Sequence, residues 1–515
     1  MKHKLFKSTS IVALMTLISR LGGFARDVVT ALVFGAGPAF DAFVIAFKIP
    51  NFLRRLFGEG AFAQAFVPVL AEYRTKRTHE EVQQFINHIA GCLGFALLVV
   101  VAIAEIIAPF IVMVFAPGFV HDPMRFQYST HMIRITFPYL ILIALTAFAG
   151  AALNTFNRFA MPAFTPVILN IVLIAVAYWW APHAATPIYV LAWGVVIGGV
   201  LQLVAQIPSM RRLRITPIPK WNWHDPGVLR VMKLMVPALF GVSVAQLSLL
   251  IDNFFASFLP VGSISWLYYS DRFTYLPLGV IGVALATVVL PNLSRHHSAQ
   301  SPQAYSATLD WALRMSMLIG IPAAVALFVL SGPLLATLIR HGAFSIHDVL
   351  MTRRSLWAFS VGLPGFMLIK ILASAFYSRQ NIRTPVKVAA VCMLVNLILN
   401  IIFIHPLAHA GLALSTSLAS LLNAILLLIL LLRGDIYHPQ PSWFMLSLRI
   451  IFANVIMAVV LVWYAGRLQR WIDWDLWQRS WHLAVAVLLG IVIYIVMLIV
   501  AGLRTSHLRP PVVSD

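Results

Sequence analysis

A chain of 515 residues with 61% hydrophobic and only 10% charged side chains does not read as a soluble protein, which would carry roughly 25% charged residues. Its formal net charge of +20 is spread through short connections between apolar runs, which points to membrane topology and anionic headgroups rather than nucleic acid. Two cysteines, Cys92 and Cys392, both inside apolar segments, support neither a disulfide framework nor a thiolate metal site.

Apolar runs long enough to cross a hydrocarbon core of roughly 30 Å recur from end to end. They predict about fourteen transmembrane helices, an all-α polytopic membrane protein. The spans fall near 9–34, 38–57, 85–116, 128–156, 160–181, 187–208, 229–259, 264–293, 307–331, 355–379, 385–404, 409–432, 444–465 and 482–503. Lys2, Lys4 and Lys7 precede the first run, but no small-residue cleavage site closes it, so an uncleaved first helix is expected. Lys and Arg concentrate in alternate connections, which predicts both termini in the cytoplasm. Two connections depart from the alternation, one with Arg340, Arg353 and Arg354, the other with Arg467, Arg470 and Arg479.

The chain echoes itself. Asp27 and Gly37 reappear as Asp252 and Gly262, 225 residues later, and ALNTFNRFAMP at 152–162 matches ASAFYSRQNIRTP at 373–385 with Arg158 against Arg379. Two lobes of six helices each are therefore expected, over 1–220 and 221–437, with two further helices and a cytoplasmic tail over 438–515. Trp471, Trp474, Trp477 and Trp481, in the connection between those last two helices, read as an interfacial belt. The scattered histidines, His405 and His409 among them, are expected at the surface or interface.

Enzyme motifs are lacking: no HExxH, Walker loop or GxGxxG, and no carboxylate cluster beyond the first two spans. What stands out is residues 19–60, where Arg20, Arg26, Lys48, Arg54 and Arg55 sit with Asp27, Asp41 and Glu59 in sequence otherwise apolar enough for lipid. A charge at the middle of a membrane helix costs roughly 2.5–3.5 kcal/mol, so it is retained where it faces a bundle interior or wet cavity. Arg55 and Glu59 are four apart and can pair; Arg20 and Asp27, seven apart, share a helix face. Arg272 stands mid-span in the eighth helix beside Asp271 and supplies a second basic site. Arginine grips phosphate oxygens bidentately and keeps its charge, so the functional reading is a cationic, diphosphate-binding cavity. In the alternative reading, Arg54 and Arg55 mark a helix end and Arg26 and Asp27 neutralise each other.

At these residues the sequence closely resembles the MurJ (MviN) family of lipid II flippases, in the multidrug/oligosaccharidyl-lipid/polysaccharide exporter superfamily. SRLGGFARD, FGAGPAFDAFVIAFKIPNFLRRLFGEGAFAQAFVPVLAEY, APGF, NTFNRF, YYSDR, FYSRQNIRTPVK and HAGLALS carry the resemblance, which runs over essentially the whole chain. It implies two six-helix lobes around a central cationic cavity, and alternating access that carries undecaprenyl-diphosphate-linked peptidoglycan precursor between leaflets of the bacterial inner membrane. The substrate-handling positions fall on Arg20, Arg26, Arg54 and Arg272, with Asp27, Asp41, Lys48, Arg55, Glu59 and Asp271 as supporting charges. Some relatives bind sodium; the matching positions here are Asp252, Asn396, Asn400 and Thr416, with Asn400 where such relatives have an acid. No organic cofactor is implied, and sodium or the membrane potential is the expected coupling. Lipid II, membrane lipids and other peptidoglycan-synthesis proteins are the implied partners, with a monomer as functional unit. The alternatives are a sister exporter of another polyprenyl-linked oligosaccharide and a multidrug antiporter.

Overall fold

In the computed structural model, which describes residues 2–54 and 61–504, every regular element among the described residues is a helix. The chain divides into two compact units, Met1–Ser265 and Trp266–Asp515. The first holds α1 (Lys2–Phe34), α2 (Pro38–Arg54), α3 (Ala61–Lys76), α4 (His79–Ile106), α5 (Ala108–Phe115), α6 (Pro123–Thr136), α7 (Tyr139–Thr155), α8 (Ala160–Ala175), α9 (Pro187–Arg212) and α10 (Pro226–Ala256), and α11 (Ser263–Pro277) begins at its end. The second continues with α12 (Val283–Ser298), α13 (Pro302–Val329), α14 (Ser331–Leu338), α15 (Ile346–Tyr377), α16 (Arg383–Arg433), α17 (Trp443–Ala465), α18 (Leu468–Asp473) and α19 (Leu476–Val500). Nine helical stretches among the described residues are long and apolar enough to cross a membrane. The fold is all-α and polytopic, as the composition requires.

Helix starts follow local chemistry. Thr78 and Glu81 form a reciprocal capping box at the start of α4, and Ser345 with Asp348 and Asp475 with Gln478 do the same for α15 and α19. Asp225 accepts from the N–H groups of Gly227 and Val228, with Pro226 in the first turn of α10. The Thr78 cap accounts for part of a difference from the sequence reading: within 58–84, expected as a connection, residues 61–76 form α3 and α4 begins at His79. The polar run HEEVQQFINH extends α4 below its apolar part, and hydropathy registers only the latter.

The 51-residue α16 is two helices joined at Ala408, whose backbone (φ 49, ψ −130) is not helical. That break separates the two spans expected at 385–404 and 409–432. The turn is tight: a Cβ on Gly411 would fall 2.3 Å from the Phe403 carbonyl oxygen, so only glycine fits.

In the first unit α1 packs on α8, α2 on α6, α9 on both α7 and α8, and α3 on α10. Phe62, Phe66, Phe85 and Phe148 form the centre of one of its cores. In the second, α15 packs on α13 and α16, and α17 pairs with α19. Helices in lipid associate through close packing of small residues rather than water exclusion. Gly362 of α15 shows this, since a Cβ there would lie 2.7 Å from Ser417 Cα of α16.

Residues 213–225, between α9 and α10, are strapped along α4. Asn87 accepts the Ile218 N–H on Oδ1 (2.8 Å) and the Lys220 N–H on its carbonyl (3.1 Å). The Gln83 amide donates to the Thr216 carbonyl (2.7 Å), His88 Nδ1 lies 2.8 Å from Asp225, and Trp221 covers Phe95 at 3.9 Å between ring centroids.

The same left-handed helix ending follows α7, α9, α12, α15 and α16, at Asn157, Arg214, Gln300, Gln380 and Asp435, so it does not single out the 152–162 and 373–385 pair. After α7, Asn157 takes φ 59 and the Arg158 N–H donates back to Leu153; after α15, Gln380 takes φ 59 and the Asn381 N–H donates back to Phe376.

Two sequence expectations change. Trp471 is fully buried, its indole donating to the Ala465 carbonyl (2.7 Å), and Trp474 stacks on His482 at 4.2 Å; Trp477 and Trp481, 77% and 61% exposed, keep a belt-like setting. His409 is also buried, Nε2 lying 3.0 Å from the Met351 carbonyl, because the α16 break turns it toward α15.

Candidate functional site

The charged stretch of the first unit resolves into three settings. On α1, Arg26 is held from two sides. Nε and Nη2 donate to Asp27 Oδ1 at 3.0 and 2.7 Å, and Nη1 donates to Asn170 Oδ1 of α8 at 3.2 Å. The Asn170 amide in turn donates to the Ser19 carbonyl (3.0 Å), so one asparagine ties the arginine to the turn of α1 that carries Arg20. Asp27 is buried, and Arg20 and Arg26 are partly buried. The Nε–Nη2 edge of Arg26 is thus taken by Asp27, the mutual neutralisation of the alternative reading, and Nη1 by Asn170, which together fix the guanidinium plane.

On α2, Lys48 Nζ donates to Asn253 Oδ1 (2.8 Å), and Arg54 Nε to Asn51 Oδ1 (2.8 Å). Asp41 has a different setting. Fully buried in the first turn of α2, it accepts from the N–H of Gly262 (2.7 Å) and from the N–H and hydroxyl of Ser265 (2.9 and 2.5 Å), with Arg125 Nη1 4.0 Å away. Gly262 sits at φ 93, which glycine adopts without strain. The partners of Asp41 are thus the turn into α11 and Arg125, and none of Arg20, Arg26 or Arg54. Arg125 is itself bonded to Asp122 (2.7 Å) and to the Leu259 carbonyl (3.3 Å). Arg55 and Glu59, with their expected pairing, lie outside the described residues.

In the second unit the Arg272 guanidinium lies over the Tyr268 ring, 4.6 Å from its centroid, one turn back on α11. Asp271 beside it is partly buried. Of the expected sodium positions, three come together: the Asn396 amide donates to Thr416 Oγ1 (3.2 Å), and the Asn400 amide to Asn396 Oδ1 (3.3 Å). Asp252, the fourth, is partly buried on α10 of the first unit. Amide and hydroxyl oxygens suit a hard cation, though three neutral donors bind it more weakly than a set containing a carboxylate. No group of three or more His, Cys, Asp or Glu with metal-binding geometry occurs among the described residues.

Sequence reasoning missed Asn170, Asn253 and Arg125. For Asn170 the available signal was isolation, a lone amide in an otherwise apolar span, since a buried amide needs partners; Asn253 stands beside Asp252, which drew the attention instead.

Residues 30–481 match the sequence model of the family described as "Lipid II flippase MurJ". The chain belongs to the MurJ family. A "Probable lipid II flippase MurJ" of Haemophilus influenzae is 43% identical over 507 residues, covering 96% of this chain and 99% of the relative. The "Lipid II flippase MurJ" of Burkholderia cenocepacia is 40% identical over 514 residues, covering 98% and 99%. Among solved structures, "Lipid II flippase MurJ, inward closed conformation" superposes with a TM-score of 0.80 at 29% identity, covering 94% of this chain and 97% of that one. An inward-facing multidrug MATE transporter of the MOP superfamily matches with a TM-score of 0.68 at 12% identity, a likeness of fold alone. MurJ proteins are flippases, transporters rather than enzymes, and this member is a multi-pass protein of the bacterial inner membrane.

Proposed function

We propose that this MurJ family member carries lipid II from the inner to the outer leaflet by alternating access, with Arg20, Arg26, Arg54 and Arg272 gripping the diphosphate. The reading is supported above all by full-length similarity to relatives named for that activity. Moving this amphiphile needs no covalent step: the barrier is dragging a charged, sugar-bearing head through hydrocarbon, and cationic side chains replace the lost hydration. Both termini lie in the cytoplasm, a reading supported by the alternation of Lys and Arg. Coupling is to sodium, through Asp252, Asn396, Asn400 and Thr416, or to the membrane potential, worth about 2.3 kcal/mol per charge per 100 mV. The functional unit is the monomer.

The test is complementation of a flippase-depleted bacterium paired with a leaflet assay for lipid II accessibility. Wild-type protein restores growth and outer-leaflet lipid II, while Arg20→Ala and Arg272→Ala abolish both at normal abundance. Inserted wild-type protein that leaves lipid II on the cytoplasmic side overturns the reading.

A further inference from the structure

The two connections that break the alternation of basic residues carry six arginines, all in the second unit. Two serve helix ends. Arg340 Nη1 donates to the Ile472 carbonyl (2.5 Å) and Arg479 Nη2 to the same oxygen (3.4 Å); Arg479 also donates from Nη1 to Ala336 (3.0 Å) and from Nε to Trp474 (2.8 Å). These carbonyls close α14 and α18, where a cation is favoured by the unpaired C=O groups and the helix dipole.

The side chains of the other four, Arg353, Arg354, Arg467 and Arg470, make no hydrogen bond or ion pair with the described residues. Arg353 is the informative one. Its guanidinium lies over the Trp357 ring at 4.4 Å, and that indole donates to the Phe328 carbonyl (2.9 Å), with Phe328 stacked against it. Nε of Arg353 is sealed from solvent with no acceptor, while its terminal nitrogens reach the surface. Gly332 leaves the space, since a Cβ there would lie 3.6 Å from Arg353 Nε and 2.9 Å from Leu468 Cδ1, next to the exposed Arg467. A half-buried guanidinium without an acceptor is costly, and a charged partner recovers that cost. The local acids are occupied: Asp348 by Trp266 and the Ser345 cap, Asp473 by Gln469, Asp475 by the cap of α19.

We propose that Arg353, with Arg354 and Arg467 beside it, binds the phosphate of an anionic phospholipid headgroup. The indole of Trp357 supports the flat face of the guanidinium and leaves its terminal nitrogens for phosphate oxygens, while exposed Phe328 meets the acyl region. Under the orientation proposed above, this site faces the outer leaflet; binding itself does not depend on that orientation or on lipid II transport.

The test is native mass spectrometry of the full-length protein in detergent, titrated with phosphatidylglycerol or phosphatidylcholine. Phosphatidylglycerol binds in preference, Arg353→Gln weakens it about tenfold, and Arg353→Lys restores part of the loss. Arg340→Gln, whose guanidinium serves the Ile472 carbonyl, keeps phosphatidylglycerol. Should Arg353→Gln fail to fold, the exposed double variant Arg354→Gln/Arg467→Gln carries the test, with weakened binding expected. Undiminished phosphatidylglycerol binding in the folded variant tested overturns the proposal. Displacement by inorganic phosphate at the concentration of the lipid overturns the assignment to a headgroup.

Discussion

Asp41 takes both hydrogen bonds that Ser265 offers, from the N–H at 2.9 Å and the hydroxyl at 2.5 Å, and so pins the first turn of α2 to the start of α11. Asp41→Ala leaves those donors and the Gly262 N–H buried without an acceptor and deprives Arg125 of a nearby charge. The expected loss is about 2–4 kcal/mol of stability, with Asp41→Asn intermediate. Thermal unfolding in detergent measures it, and an unchanged midpoint for Asp41→Ala would contradict the assignment.

Asn170 reaches Arg26 and the Ser19 carbonyl at once and so ties α8 to α1. Asn170→Ala should lower complementation at normal abundance, while Asn170→Asp, which keeps the acceptor for Arg26, should retain more activity. Equal loss in both variants would point to Ser19 rather than Arg26 as the contact that matters.

Asp310 is the anchor of the connection between α16 and α17. It accepts from the Tyr437 hydroxyl (2.7 Å), the Trp443 indole (2.6 Å) and the Gln440 N–H (3.3 Å), and lies 2.6 Å from Arg314. Burial and the bond to Asp310 together push the Tyr437 hydroxyl pKa well up, so it stays a donor at any ordinary pH. Asp310→Ala strands the Arg314 charge, a cost of roughly 3–5 kcal/mol, and frees residues 434–442. Limited proteolysis should then cut that segment faster than in the wild type.

Glu72 gives a pH signature. Hydrogen bonds from Arg230 (2.7 Å) and then Lys76 (3.2 Å) hold its carboxyl below the ordinary 4.5. A lowered folded-state pKa means stabilisation that is fully present above pH 4.5 and is lost as the pH falls through the lowered value. Glu72→Gln should therefore reduce the unfolding midpoint slightly at neutral pH, a gap that closes on acidification. A gap that widens in acid would reverse the sign of the linkage.

The all-α membrane architecture was legible because every span needs its own apolar run, and the break at Ala408 fell where two such runs met. Less legible were α3, whose apolar start AFAQAFVPVL is too short to read as a span, and the polar start of α4, set by the Thr78–Glu81 capping box; both helices pack on α7 and α10. Arg26 and Asp27 were visible as charges in an apolar stretch, but adjacency in sequence could not tell that a residue of α8 completes their setting. Asp41 drew notice for the same reason as the arginines, yet its carboxylate serves a turn some 220 residues away, a long-range pairing that local spacing cannot encode. Arg340 and Arg479 depart from the alternation of basic residues, and both are bonded to helix-end carbonyls, a local role that charge counting does not register.

The strap of residues 213–225 has a mechanical meaning. A connection bonded at Thr216, Ile218, Lys220 and Asp225 to a single helix has little slack to give. It behaves as a splint, not a tether, so a displacement of the start of α10 is transmitted to α4 as a rigid push. Inserting flexible residues after Lys220 would separate the ties at Thr216, Ile218 and Lys220 from the start of α10, leaving the His88–Asp225 bond as the strap's remaining hold on it.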